Sequence, residues 1–172
     1  MSLAGIRRRC ATQIDSLELR DPVSVETICE RIAILRGRPI RILAQKLPSA
    51  GPCGLRIATR NVDYLVVQEN APPAHQDFIL LHELGHVLFD PDTGSPLDQN
   101  LLEALVPQVD PATVTCMLGR GHYALECEQM AEVFATMLWG QIDRHLSGPP
   151  RVFAPNTNEI VDRVERTLEQ GH

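Results

Sequence analysis

Gln76-Asp-Phe-Ile-Leu-Leu-His-Glu-Leu-Gly-His-Val-Leu-Phe89 is the stretch on which the reading of this chain turns. Leu80, Leu84 and Val87 fall on one face of a helix, and His82-Glu83-Leu84-Gly85-His86 follows the pattern H-E-x-x-H. Residues four apart on a helix stand one above the other, so the imidazoles at 82 and 86 converge on one ion, and zinc suits that pair. Glu83 points to the side of the metal where water would sit, and is read as a base and not a ligand. Two histidines and a glutamate on a helix can also be a solvated face by accident. Here Ile79-Leu80-Leu81 and Val87-Leu88 flank them, so the helix is expected to be buried, where such groups are costly without a metal partner.

A catalytic zinc site needs a third protein ligand and one open position. The candidates downstream are acidic. Asp92 stands where an extended pattern would put that ligand, but such a pattern turns at a glycine and this chain has Phe89 there. A longer helix is expected from about Tyr123 to Gln141, in which Glu128 rises from a strip of small neighbours, Ala124, Ala131 and Ala135. That strip lets the helix lie close to Gly85 of the motif. Glu132, on the same face as Glu128, is placed to accept a hydrogen bond from a ligating imidazole, whereas Glu126 points elsewhere. Spacing alone reads Glu128 equally well as a ligand and as a solvent-facing glutamate.

Outward from this centre, Asp21-Pro22 is read as a cap before a first-turn proline, opening a helix along Val25, Ile28, Ile32 and Leu35 up to Gly37. Pro39–Ala44, Gly54–Thr59 and Val62–Gln68 read as three strands of a small antiparallel sheet, the last two a hairpin. Asp110-Pro111 repeats the cap-then-proline signal and predicts a short helix ending near Gly119. Ile160, Val164 and Leu168 mark a C-terminal amphipathic helix, placed within 150–172, while residues 1–20 read as an N-terminal extension. The pattern is α+β, with helices packed on one small sheet in a single domain over 1–172. Trp139 and Leu138 are assigned to the core.

With 172 residues, 44% hydrophobic content and a formal charge of −6, the chain has no basic stripe to suit nucleic acid. Arg7, Arg8 and Arg9 precede no apolar run of the kind a signal peptide needs, and no segment reaches the length of a membrane span. Five cysteines, odd in number and without a C-x-x-C pair, read as reduced thiols in a cytoplasmic setting.

His75-Gln-Asp-Phe-Ile-Leu-Leu-His-Glu-Leu-Gly-His-Val-Leu-Phe89, with Glu128-Gln-Met-Ala-Glu-Val-Phe-Ala135 and Pro52-Cys-Gly-Leu-Arg-Ile-Ala-Thr59, resembles the ImmA/IrrE family of metallopeptidases, the last stretch as in its actinobacterial members. The likeness runs over roughly residues 20 to 140 in order. It implies a minimal zincin-like fold, one zinc ion, and intracellular cleavage of helix-turn-helix repressors. Carried over by position, it makes Glu128 the third ligand and Glu132 the residue behind it, although many members have Ala-Asn where this chain has Ala131-Glu132. In such a mechanism zinc and Glu83 activate water, and His122, Tyr123 or Arg120 are the nearest donors for the oxyanion. An alternative of a different class is a zinc-binding regulatory module, in a toxin-antitoxin or prophage setting, that holds its partner without cutting it. The intact Glu83 argues against that, because pure binding needs no base beside the metal.

Overall fold

The computed structural model describes residues 1–20, 23–47, 53–90, 102, 107, 111–119 and 125–142. The expectations for Asp92, Arg120, His122, Tyr123 and the helix within 150–172 lie outside these residues. Helices α1 (Leu3–Ser16) and α2 (Val25–Arg36) lead into strands β1 (Ile40–Gln45), β2 (Gly54–Thr59) and β3 (Asp63–Gln68). Helix α3 (Pro73–Phe89) carries the H-E-x-x-H motif. A 3-10 turn, Pro111–Thr113, then feeds strand β4 (Val114–Gly119), and helix α4 spans Leu125–Trp139.

The helices begin and end where backbone chemistry requires. Ser2 Oγ accepts the Gly5 N–H at 3.2 Å to cap α1, and Ser24 Oγ accepts that of Thr27 at 3.2 Å to cap α2. The cap of α2 is therefore Ser24, whose hydroxyl reaches the first turn, and not Asp21 three residues upstream. Gly37 closes α2 at φ 62°, and Arg38 N–H returns to the Ala33 carbonyl at 3.1 Å. The buried stripe of α2 is Val25, Ile28, Cys29, Ile32 and Ala33. Leu35 is exposed, because that stripe turns past it. In α1, Ile6, Cys10 and Ile14 recur every four residues and are all buried, so the N-terminal extension is an amphipathic helix seated on α4.

The sheet has four strands in the order β1-β3-β2-β4, with β1 parallel to β3 and the other two pairings antiparallel. This corrects the expected three-stranded antiparallel sheet. Leu65, Val66 and Val67 form an unbroken apolar run, all fully buried, and a strand covered on both faces takes a central place. β1 then joins its outer side in parallel, pairing Ile40 with Asp63 and Gln45 with Gln68. The fourth strand replaces the helix expected to end near Gly119. Val114 and Thr115 are β-branched and suit a pleated surface, and the Thr115 hydroxyl donates to the Ala58 carbonyl of β2 at 3.2 Å.

Alternation divides the sheet into two faces. Ile40, Ile42, Leu65 and Val67 meet the four helices in the main core, while Leu43, Leu55, Ile57, Tyr64 and Val66 pack with Leu102 on the other side. Asp63 and Arg56, on the strands facing the helices, are both fully buried. Asp63 receives Arg38 through two contacts, at 2.8 and 3.1 Å, and Arg56 through two more, at 3.3 and 3.0 Å. One carboxylate thus compensates two guanidinium groups in the interior, the arrangement a buried charge needs.

Candidate metal and catalytic site

Among the described elements α3 and α4 pack on each other most extensively, and they meet closely at the motif. A Cβ added at Gly85 would lie 2.7 Å from Ala131 Cα and 3.1 Å from its Cβ. Glycine on one helix and alanine on the other therefore let the two backbones meet, as the strip of small residues predicts. Edge-to-face pairs on either side, Phe78 with Trp139 at 5.8 Å and Phe89 with Phe134 at 5.7 Å, hold the crossing. Leu138 is fully buried, and Trp139 packs against the core beside it.

That crossing brings Glu128 of α4 to the two histidines of α3. His82 Nε2 lies 3.0 Å from His86 Nε2 and 3.5 Å from Glu128 Oε2, and His86 Nε2 lies 3.9 Å from the same oxygen. In a tetrahedral zinc site with bonds of about 2.0–2.2 Å, neighbouring ligand atoms stand roughly 3.4 Å apart, so the three spacings bracket that value. Glu128 Oε1 is buried and has no hydrogen-bond partner in the described structure. A buried carboxylate short of donors costs free energy, and a cation held between its Oε2 and the two imidazoles would offset the charge of that carboxylate. The donor set and its spacing fit zinc.

Glu83 lies beneath the histidines against β2. A Cβ at Gly54 would stand 2.7 Å from Glu83 Oε1, so glycine at the start of β2 leaves room for this carboxyl. Among the described residues Glu83 Oε2 is buried without a hydrogen-bond partner. Burial first, then the negative charges of Glu128 and Asp90, push Glu83 up to about 8, opposed by the positive charge of Arg56. Burial and the neighbouring His86 hold His82 below its ordinary range against the pull of Glu128 and Glu132, which favours the neutral imidazole that coordinates metal.

Each imidazole has a carboxylate behind it. Glu132 Oε2 lies 3.4 Å from His82 Nδ1, where the sequence reading puts it, although its side chain is 59% exposed. Asp90 was not anticipated. Its Oδ2 is 2.7 Å from His86 Nδ1, and both side chains are almost completely buried. The available signal was its position four residues after His86, where one further helical turn brings the carboxylate under the ring. Read as the start of a proline-rich loop, Asp90 is instead the C-cap of α3. Burial, followed by a hydrogen bond to Asp90, pushes the Cys127 thiol up to about 11, so it stays protonated and serves as a donor. Glu126 does point away, pairing with the amino group of Met1 at 3.1 Å.

A helix bearing two histidines and a glutamate, a facing helix bearing an acidic third group, and a mixed four-stranded sheet are the arrangement found here, and the three convergent groups are compatible with a zinc site. Residues 38–104 match the family model described as the IrrE N-terminal-like domain, of the M78 peptidases, which bears out the resemblance to the ImmA/IrrE metallopeptidases. At the level of that family the activity is zinc-dependent peptide hydrolysis on a protein substrate. No curated protein and no solved structure matches the chain. Among the described residues, no helix is long and apolar enough to cross a membrane.

Proposed function

We propose that this protein is a zinc-dependent endopeptidase of the cytoplasm that cuts a regulatory protein of the helix-turn-helix repressor class. The observation that supports the chemistry most strongly is the convergence of His82, His86 and Glu128, whose candidate ligand atoms all lie within 4.8 Å of one another, with the buried carboxyl of Glu83 beside them. The choice of substrate is supported by the family likeness, and the cytoplasmic setting by that likeness and by an odd number of cysteines with no C-x-x-C pair in the sequence.

In this reading His82, His86 and Glu128 hold one zinc ion, which supplies the Lewis acidity that activates water and polarises a carbonyl. Glu83 accepts the water's proton and later returns it to the leaving amine. Burial raises its affinity for a proton above that of an ordinary carboxylate, as a base needs. Asp90 and Glu132 fix the ring orientations of His86 and His82 from the far nitrogen. Gly54 gives Glu83 its place, and Arg56 supplies a positive charge from the sheet side. The substrate backbone adds to the sheet beside β4, which runs antiparallel to β2 with Gly119 opposite Leu55, one residue from Gly54. The oxyanion donor is assigned to His122 or Tyr123, just ahead of α4.

The test is to express wild type and Glu83→Gln in the source cell, capture what each retains, and compare proteins and fragments by mass spectrometry. An intact protein held by Glu83→Gln and cut in the presence of wild type supports the peptidase and names the substrate. The same uncut partner on both would overturn proteolysis in favour of a binding module.

A further inference from the structure

α1 lies outside residues 38–104, the segment matching the family model, yet it walls the cleft at the candidate metal site. This cleft, of about 440 Å³, is lined by Leu3 and Ile6 of α1 and by Glu132 and Val133 of α4, with His82 and Glu128 among the same lining groups. α1 is a fixed wall. Ile6 and Cys10 are buried, and the Cys10 thiol donates to the Met130 carbonyl of α4 at 3.5 Å. Leu3, held on that fixed helix, nonetheless keeps 62% of its surface exposed. An apolar side chain left uncovered at the mouth of a cleft, with Ile6 and Val133 next to it, offers area that an aliphatic ligand group would bury favourably. Of the two acidic groups lining the cleft, Glu128 faces His82 Nε2 at 3.5 Å and Glu132 faces His82 Nδ1 at 3.4 Å.

We infer that Leu3, Ile6 and Val133 form a side-chain subsite beside the metal position, and that it selects an aliphatic residue flanking the cleaved bond. This rests on the peptidase reading and adds a specificity that the H-E-x-x-H helix does not carry. α1 is then part of the substrate site as well as of the core. Because Leu3 is mostly exposed and sits in the first helical turn, Leu3→Asp removes the apolar wall without opening the core, and an acid there suits the helix dipole.

Binding of simple hydroxamates to the zinc-loaded full chain, followed by calorimetry, tests this without relying on turnover. Acetohydroxamate probes the metal alone; alanine, leucine and lysine hydroxamates add side chains to the same anchor. The expected result is leucine hydroxamate binding about tenfold tighter than alanine hydroxamate, short of the ceiling that roughly three fully buried carbons would set. Leu3→Asp is expected to erase that preference while leaving acetohydroxamate unchanged, and Leu3→Met to keep it. Equal binding of leucine and alanine hydroxamates, a preference for lysine, or a leucine preference that survives Leu3→Asp overturns the subsite. Failure of acetohydroxamate to bind at all overturns the metal reading instead, and the subsite with it.

Discussion

His82 and His86 are one helical turn apart but differ in their surroundings, and the difference shows what each residue is expected to do. His86 is buried and backed by Asp90 at 2.7 Å, whereas His82 keeps about a fifth of its side chain exposed and is backed by the largely solvated Glu132 at 3.4 Å. Asp90→Ala should therefore weaken zinc binding more than Glu132→Ala. A loss of about 10–100-fold in affinity is expected for Asp90→Ala, read by competition with a chromogenic chelator. Glu83 gives a second prediction, for protein stripped of metal by chelator. Its folded pKa of about 8 lies above the ordinary carboxyl value of 4.5, so the native state binds the proton more firmly than the unfolded chain. The stabilising contribution is complete below about 4.5 and is lost as pH rises through about 8. The melting temperature of stripped wild type should fall over that window, and Glu83→Gln, which keeps the shape of the protonated acid, should flatten the fall.

At the scale of elements, the site depends on how closely α3 approaches α4 and on the charge buried beneath β2 and β3. A methyl at Gly85 would press on the backbone of Ala131, which cannot rotate away, so Gly85→Ala should push the helices apart. A loss of about 1–3 kcal/mol in urea unfolding is expected, together with weaker zinc retention as Glu128 withdraws from the histidines. Asp63→Ala should cost about 3–5 kcal/mol, because it removes the buried carboxylate that the guanidinium groups of Arg38 and Arg56 share. The elements themselves were legible to different degrees. α3 and the close helix crossing could be read from apolar flanks and small residues, since local periodicity and side-chain size decide both. The strand pairing could not. Which strand is central depends on what covers its two faces, and β4 brings residues some sixty positions distant to complete the sheet. The cap-then-proline signal at Pro111 was satisfied by a 3-10 turn, after which Val114 and Thr115 favoured the sheet edge over a helix.

Across the whole molecule, the candidate site is assembled from α3, α4 and the start of β2, with α1 closing one side of its cleft. His82, Glu83 and His86 were legible because their geometry is local to one helix. Glu128 was less so. Spacing left it balanced between ligand and surface residue, and the packing of α4 on α3 is what brings it to the histidines. The role of α1 was illegible because Ile6, Cys10 and Ile14 give a sparse stripe beside three arginines, and only the surface of α4 shows what it covers. Ile6→Ala should cost about 2–4 kcal/mol in unfolding experiments, a core penalty at a position that looks like an extension in the sequence. If His82, His86 and Glu128 hold one zinc ion, the zinc content of purified wild type, Glu83→Gln and Glu128→Ala, read by inductively coupled plasma mass spectrometry, must follow Glu128 and not Glu83. One ion per chain in the first two, and almost none in Glu128→Ala, is the predicted result. Full occupancy in Glu128→Ala, or none in wild type purified with zinc, would contradict it.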